Sequence, residues 1–480
     1  MIRYIEFENF RNLSGKYLLE TQLTMIVGKN SSGKTNLLDG VRYAFSALTG
    51  EYIKIEKSDF KNSDDSLVIR IKVALKDGSI PSLSYIDSDG VKRYGFSLTI
   101  RKTQTGRYKR EVNLYNGSSV DWDILSEDSK IPNIYAIPLA RTDVIYGDGL
   151  PFNVADFIES ENEYKKIKDE AKEKIKEQMG DKINQFKSLC TKFDQNLDID
   201  VTDPKISSEK LYILGGEKEH GIKIGSGYKS IANILLHTFG DRHIVLLLDE
   251  IENHIHPSLL RTFLRELEEI GNITIVATTH SPVVIHECST EEILDISGKR
   301  LSELQTDALY KLNTFLHPGR GEIIFADNVI LVEGYTEEML LKNYLHSKNN
   351  NNWTIINVAG VMFKPYIDLA RLLNKHLIVI SDTDTMNSSE PSDRFKKLKE
   401  YCDTNDIKII EMKNTPESDL VLSGFIDEKN KLLQKLEVND YCVAKSNRHK
   451  TRLAQEIIDN EVDLSGWHVI KEIEDEFGNN

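Results

Sequence analysis

The sequence is poor in cysteine and has no long apolar run, and each shortage excludes a class of protein. Four cysteines in 480 residues (Cys190, Cys288, Cys402, Cys442) stand far apart without a CxxC pair. That excludes a zinc ribbon and speaks against a disulfide scaffold. No apolar stretch approaches the roughly 18–20 residues of a membrane-spanning helix. The opening MIRYIEFENF alternates like a strand instead of running like a signal peptide, so the expectation is a reduced, cytoplasmic chain with no membrane partner. Positive charge is also short: 61 Lys and Arg face 76 Asp and Glu, a formal net charge of −15. The surface as a whole does not attract nucleic acid, and any phosphate contact must come from local basic patches acting within a Debye length of about 8 Å. There are no internal repeats, and the asparagine tract 349–352 is a lone low-complexity stretch.

What is present is a chain long enough for about two to four domains, each with its own core. Residues 1–27 alternate apolar and polar and end in an apolar run before a glycine turn. A helical stretch at 36–48 is followed by strand-like runs at 67–75, 95–100 and 110–115, the last two joined across Thr105-Gly106 as a hairpin. These predict an antiparallel sheet decorating a nucleotide-binding core. From about 155 to 196 the composition shifts to Glu/Lys-rich helix, with Ile167, Ala171, Ile175, Met179, Ile183 and Phe186 forming one apolar stripe. The stripe suits either a helical insertion packed on its own domain or a hairpin used for dimer contact. The apolar runs 244–248 and 273–277 predict central parallel strands covered on both faces. A turn-rich break at 316–321 precedes a second pattern: strand 329–332, helix 337–344, strand 355–358, helix 364–374, strand 377–380. The expectation is an α/β protein with one domain over 1–154 and 203–318, a helical insertion at 155–202, and a second, smaller domain over 319–480 that includes a C-terminal extension.

The segment Gly28-Lys29-Asn30-Ser31-Ser32-Gly33-Lys34-Thr35 fits GxxxxGK[ST] with a strand before it and a helix after it. Its glycines let backbone N–H groups wrap phosphates at a helix N-terminus, Lys34 supplies a point charge, and Thr35 offers a hydroxyl to Mg²⁺. Asn30, Gly33, Lys34, Thr35 and Asn36 are therefore the expected ATP-binding residues. The run 244–248 ends in Asp249-Glu250, and two carboxylates at the tip of a buried strand are costly unless they hold something. Asp249 is expected to hold the metal and Glu250 to polarise the attacking water. His280, just past the second apolar strand, can reach the γ-phosphate.

Ile224-Gly225-Ser226-Gly227-Tyr228 lies about twenty residues before these carboxylates and resembles the signature motif of ABC-type ATPases. The resemblance implies that Ser226 and Gly227 of one subunit face the ATP held by another, so the site is complete only in a dimer. Phe10-Arg11-Asn12 resembles the adenine-side segment of SMC- and RecF-like ATPases, and Arg141 resembles a residue found between the lobes. Neither Gln22 nor Gln104 is placed as a Q-loop glutamine. His254 and His256, an HxH after the carboxylates, resemble the interface loop of the ABC class more than a zinc pair.

A second acidic constellation follows. Glu333 ends an apolar strand at a glycine turn, Glu337 opens the next helix, and Asp382 and Asp384 end another apolar strand. Residues two apart on a strand point to the same side, so Asp382 and Asp384 are expected to converge. Nothing in the local sequence neutralises them, which suits Mg²⁺ or Mn²⁺. Glu417 and Asp419 are further candidate ligands, or simply a helix-start turn. The densest basic run, 445–452, and a second cluster on the hairpin (Arg101, Lys102, Arg107, Lys109, Arg110) could contact phosphate.

The glutamate-glycine and Asp-x-Asp pattern resembles the Toprim domain of topoisomerases, DnaG-type primases and certain nucleases. An ABC-type, SMC/RecF-like ATPase followed in one chain by Toprim resembles the overcoming-lysogenisation-defect (OLD) family, which includes the Gabija anti-phage nuclease subunit and retron-associated nucleases. That resemblance implies a metal-dependent DNA endonuclease whose ATPase half controls dimerisation and DNA access in anti-phage defence. It implies Glu333, Glu337, Asp382 and Asp384 as metal ligands and a late lysine, Lys450 in preference to Lys445, as the charge stabiliser. The implied partners are DNA, further copies of the chain (a dimer or dimer of dimers), and a helicase-like subunit or retron components. A non-cleaving SMC/RecF-like clamp with Toprim as a binding module is the rival reading.

Overall fold

A computed structural model describes residues 2–50, 52–61, 68–103, 105, 107–126, 128, 133–138, 177, 180–190, 192, 197–200, 212–215, 231, 234–235, 243–253, 255–271, 273–304, 318–350, 352–360, 362–385, 390–422 and 450–477. The chain divides into two compact units, Met1–Cys288 with Glu292–Gly298, and Ser289–Glu291 with Lys299–Asn480. The second unit thus begins ahead of the turn-rich break at 316–321. Among the described residues no helix is long and apolar enough to cross a membrane. Cys190, Cys288 and Cys402 are free thiols, while Cys442 lies outside the described residues.

The first unit holds two sheets. Strands β1 (Ile2–Phe10), β2 (Leu13–Leu18), β4 (Val68–Leu75), β5 (Ser84–Ile86), β6 (Lys92–Lys102) and β7 (Tyr108–Leu114) form an antiparallel sheet in the order β2-β1-β4-β6-β5, with β7 on β6. Its strands read as half-buried because they are: in β1, Ile5 and Phe7 point inward while Glu6 and Glu8 do not. The expected hairpin is present, pairing Arg101 with Lys109, and Glu111 takes ion pairs from both. The other sheet is parallel, in the order β13-β3-β12-β11-β8, built from β3 (Leu23–Val27), β8 (Asn133–Pro138), β11 (Ile244–Asp249), β12 (Ile273–Thr278) and β13 (Ile293–Asp295). β3 and β12 are buried at every residue, as strands covered on both faces must be. β9 (Leu197–Asp200) and β10 (Tyr212–Gly215) form a separate antiparallel pair. Helix α1 (Lys34–Thr49) crosses so close to β1 that a Cβ on Gly40 would stand 2.2 Å from the Phe7 ring. Phe7, Phe10, Phe45 and Phe96 share that core, each contributing about 1.5–3 kcal/mol by burial. Of the expected apolar stripe, Phe186 is buried and Ile183 half-buried; Ile167, Ala171, Ile175 and Met179 lie outside the described residues.

The second unit is a parallel sheet in the order β15-β14-β16-β17, made of β14 (Asn328–Val332), β15 (Trp353–Asn357), β16 (His376–Asp382) and β17 (Lys408–Met412). Between the strands run α2 (Tyr335–Ser347), α3 (Phe363–Leu372) and α4 (Asp393–Thr404), matching the expected alternation. After β17 come α5 (Pro416–Leu422), α6 (Lys450–Asp459) and α7 (His468–Phe477). Leu453, Ala454 and Ile457 of α6 and Trp467, Ile470 and Ile473 at α7 lie in the same core as Ile330 and Ile378 of the sheet. The C-terminal extension is therefore part of this fold. Chain order places β15 on one side of β14 and β16 on the other. The C-terminal ends of β14 and β16 consequently flank the sheet's topological switch point, where open α/β sheets bind ligands.

Candidate functional sites

In the first unit the glycine-rich loop joins β3 to α1. Gly33 has φ +107°, and a Cβ there would meet the Asn12 amide at 2.5 Å, so this position needs glycine on both counts. Asn12 Nδ2 donates to Ser32 O (2.7 Å), and Asn36 Nδ2 donates to Asn12 Oδ1 (2.8 Å). Lys34 is only 5% exposed, and its ammonium donates to Gly28 O (2.9 Å) and Lys29 O (2.7 Å). Burial lowers its pKa while Glu250, Asp249, Glu252 and Asp295 pull it back up. Thr35 Oγ1 donates to Asp249 at 3.0 and 3.2 Å, bringing together the two expected metal-holding groups from positions 214 residues apart. Asn30 is exposed on the loop.

The register of β11 on β12, Leu248 against Ala277, sets residues 249–252 beside residues 278–280. Thr278 Oγ1 donates to Asp249 (2.7 Å) and accepts from Glu250 N (2.8 Å). Glu250 turns off the strand with φ +51°, a left-handed conformation costing about 1–2 kcal/mol in a non-glycine residue, and its carboxylate accepts from Asn253 Nδ2 (2.6 Å). Glu252 carries two more bonds: Oε1 accepts from His280 N (2.6 Å) and Oε2 from Thr279 Oγ1 (2.7 Å). Sequence reasoning missed Thr278, Asn253 and Glu252. Burial and the Lys34 charge hold the His280 pKa below its ordinary 6.5, against the pull of Glu252, Glu250 and Asp249. NMR titration of nucleotide-free protein should therefore find the His280 midpoint below 6.5, with the ring neutral at pH 7. Lys34→Ala should raise that midpoint, and a midpoint that does not move would refute the coupling.

Other sequence candidates have structural duties. Arg11 donates to Asp59 (2.9 Å), Asn36 (2.8 Å) and Asp39 (2.5 Å), so its guanidinium is engaged within the protein. Gln22 donates to Glu268 O (3.1 Å) and Ile270 O (2.6 Å) at the end of helix Pro257–Glu269, and His256 caps that helix's start through Ser258 N. Arg141, Ser226, Gly227 and His254 lie outside the described residues.

In the second unit Glu333 follows β14, Glu337 lies in the first turn of α2, and Asp382 ends β16. Glu337 and Asp382 are 3% and 5% exposed. Strand alternation, however, is not what places Asp384. β16 stops at Asp382, and Asp384 sits beyond it with φ +51° and an exposed side chain. Nor is the acidic group without a neutralising charge, as the local sequence suggested. Arg394 donates to both oxygens of Glu333 (2.8 and 3.1 Å) and to Asp384 Oδ2 (2.7 Å). Glu333 and Asp384 thus share one guanidinium nitrogen across the switch point. Ser381 Oγ also donates to Glu333 (3.4 Å).

An all-oxygen, all-carboxylate donor set suits a hard divalent cation, and Glu333, Glu337, Asp382 and Asp384 fit that chemistry. Among the described residues, no group of three or more His, Cys, Asp or Glu side chains is arranged so that it could hold a metal ion; Arg394 takes the oxygens of Glu333. Asp419 is the structural alternative of the pair considered. It is fully buried and accepts from Lys413 N, Trp467 Nε1 and His468 Nε2, each at 2.7 Å. Glu417 accepts from Thr336 Oγ1 (3.0 Å). Lys450 opens α6, although its side chain lies outside the description, as do Lys445 and the rest of 423–449.

Comparison with known proteins gives two matches to family models. Residues 23–286 match the family described as "AAA domain, putative AbiEii toxin, Type IV TA system". Residues 324–384 match "Overcoming lysogenization defect protein-like, TOPRIM domain". Among curated proteins the chain is similar to Endonuclease GajA of Bacillus cereus strain HuB5-5, at 23% identity over 34% of this chain and 29% of that protein. It is similar to Endonuclease GajA of Bacillus cereus strain VD045 at 22% identity, over 79% of this chain and 74% of that protein. Old nuclease of Escherichia phage P2 is 21% identical over 95% of this chain and 90% of its own length. The chain therefore spans under a third of the first relative and most of the other two.

Proposed function

The chain belongs to the family of the "AAA domain, putative AbiEii toxin, Type IV TA system" and carries an OLD-like TOPRIM domain behind it, and from that premise we propose that it is an ATP-controlled, metal-dependent DNA endonuclease. The observation that carries the reading is the meeting of Glu333 and Asp384, from the ends of different strands, on one guanidinium at the switch point. Relatives named endonuclease and nuclease support it.

In the first site Lys34 and the loop amides bind the ATP phosphates, Thr35 and Asp249 hold Mg²⁺, and Glu250, fixed by Asn253, orients the attacking water. Neutral His280 hydrogen-bonds the γ-phosphate. Ser226 and Gly227 complete the site from a second copy of the chain, which makes the working form a homodimer or a dimer of dimers. In the second site Glu333, Glu337, Asp382 and Asp384 hold Mg²⁺ or Mn²⁺, which supplies Lewis acidity at the phosphodiester. Lys450, delivered by a helix anchored in the core, stabilises charge on the phosphate. ATP binding sets access of DNA to these carboxylates. The setting is cytoplasmic defence against phage, alongside a helicase-like subunit or retron components.

Supercoiled plasmid incubated with Mg²⁺ or Mn²⁺, with and without ATP, tests the reading. Nicked or linear product supports it, and intact plasmid under every condition assigns the chain instead to an ATP-driven clamp that binds DNA without cutting.

Glu252 provides a finer test of the first site. Its two bonds fix the backbone that presents His280, and hydrogen bonds to a charged group are worth about 1.5–3 kcal/mol each. Glu252→Ala should lower kcat for ATP hydrolysis about tenfold to a hundredfold with KM nearly unchanged. Glu252→Gln, which keeps one acceptor for His280 N, should recover part of the loss. An unchanged kcat in Glu252→Ala would remove this residue from the mechanism.

A further inference from the structure

We propose that Arg394 is the built-in counter-cation of the second site, holding Glu333 and Asp384 together when no divalent ion is bound and yielding their oxygens when one arrives. The inference rests on reading these carboxylates as metal ligands. Arg394 meets Glu333 fork to fork and adds Asp384 through the same Nη2, a geometry that guanidinium offers and ammonium does not. Its backbone is pinned beside the site. Ser392 N donates to Thr383 O (2.9 Å), the Ser392 hydroxyl accepts from Phe395 N (3.2 Å), and Phe395 is buried. The side chain, not the helix, is what can move.

Two physical consequences follow. The carboxylates of Glu333 and Asp384 would repel each other if nothing positive lay between them, so Arg394 stabilises the metal-free fold. The same guanidinium uses both Glu333 oxygens and places a positive charge where a divalent ion must sit, so every ion bound has to displace it. Arg394 is thus a positioning residue that sets the metal concentration at which the site loads, and it touches the ligands instead of the substrate.

The experiment is calorimetric titration of Mn²⁺ into the nucleotide-free full chain, with thermal melting in parallel, for wild type, Arg394→Gln, Arg394→Lys and Glu333→Gln. Arg394→Gln should bind Mn²⁺ about tenfold more tightly, melt lower than wild type without metal, and regain most of the difference at saturating Mn²⁺. Arg394→Lys should fold normally and fall between the two. Mn²⁺ affinity unchanged or weakened in both Arg394 variants would overturn the inference while leaving the metal reading intact. Mn²⁺ binding that persists undiminished in Glu333→Gln would overturn the metal reading itself, and the inference with it.

Discussion

Asp382→Ala should reduce plasmid cleavage at least a thousandfold while ATP turnover stays within about twofold of wild type. Asp382 is the last residue of β16, 5% exposed, on the strand whose tip flanks the switch point opposite Glu333. A metal at a phosphodiester contributes several kcal/mol of transition-state stabilisation. Losing about 4 kcal/mol of it corresponds to about a thousandfold in rate. The fold should tolerate the change, because the strand is held by Leu377–Ile380 and its ladders to β14 and β17, and removing one carboxylate from an acidic group relieves repulsion. Asp419→Ala is the control. That residue loses no cleavage chemistry directly, but its removal leaves the buried Trp467 Nε1 and the part-buried Lys413 N without their acceptor, at a cost of about 1–3 kcal/mol for the buried donor. Cleavage lost together with melting temperature is therefore the signature of Asp419, and cleavage lost at constant melting temperature the signature of Asp382. Nicking by Asp382→Ala at the wild-type rate in Mn²⁺ would end the proposed site.

Why some of this was legible in the sequence and some was not has a physical basis. Runs such as 244–248 and 377–380 are apolar because both faces of a parallel strand are covered, so strand identity could be read directly, whereas the order of the strands in each sheet could not. The carboxylates behind them stood out because a charge at the end of such a strand is costly without a partner. Thr35 and Asp249, far apart in the chain, were linked by the expectation of one shared ion, and their side chains are hydrogen-bonded. Glu252 was invisible because its role depends on β11 lying beside β12 in a register that only tertiary structure fixes. Arg394 was invisible for the same reason: ten residues beyond Asp384, it reads as a surface cation near a helix start. Asp384 was placed by alternation on a strand that ends two residues earlier, and a left-handed backbone breaks the period-two rule. Gln22, set aside in the sequence as a lobe-coupling glutamine, has an amide that closes a helix end.

Lys34→Ala should weaken ATP binding about a hundredfold. The lysine is buried among carboxylates: burial pushes its pKa down, and Glu250, Asp249 and Glu252 are the charges that keep its ammonium form favoured. Taking the cation away removes its charge-assisted bonds to the phosphates, worth about 3 kcal/mol, which is about two powers of ten in Kd. It also takes away a positive charge that acts on Asp249, Glu250 and Glu252, so an incoming polyphosphate meets a more negative site. Fluorescent-nucleotide titration measures the first effect, and wild-type affinity in Lys34→Ala would refute the P-loop assignment. Lys34→Arg should not rescue binding. The ammonium fits between two loop carbonyls at 2.9 and 2.7 Å, a point-charge geometry in which a planar, bulkier guanidinium loses the match. Full rescue by arginine would mean that charge alone, and not the fit of the lysine to its loop, governs nucleotide capture.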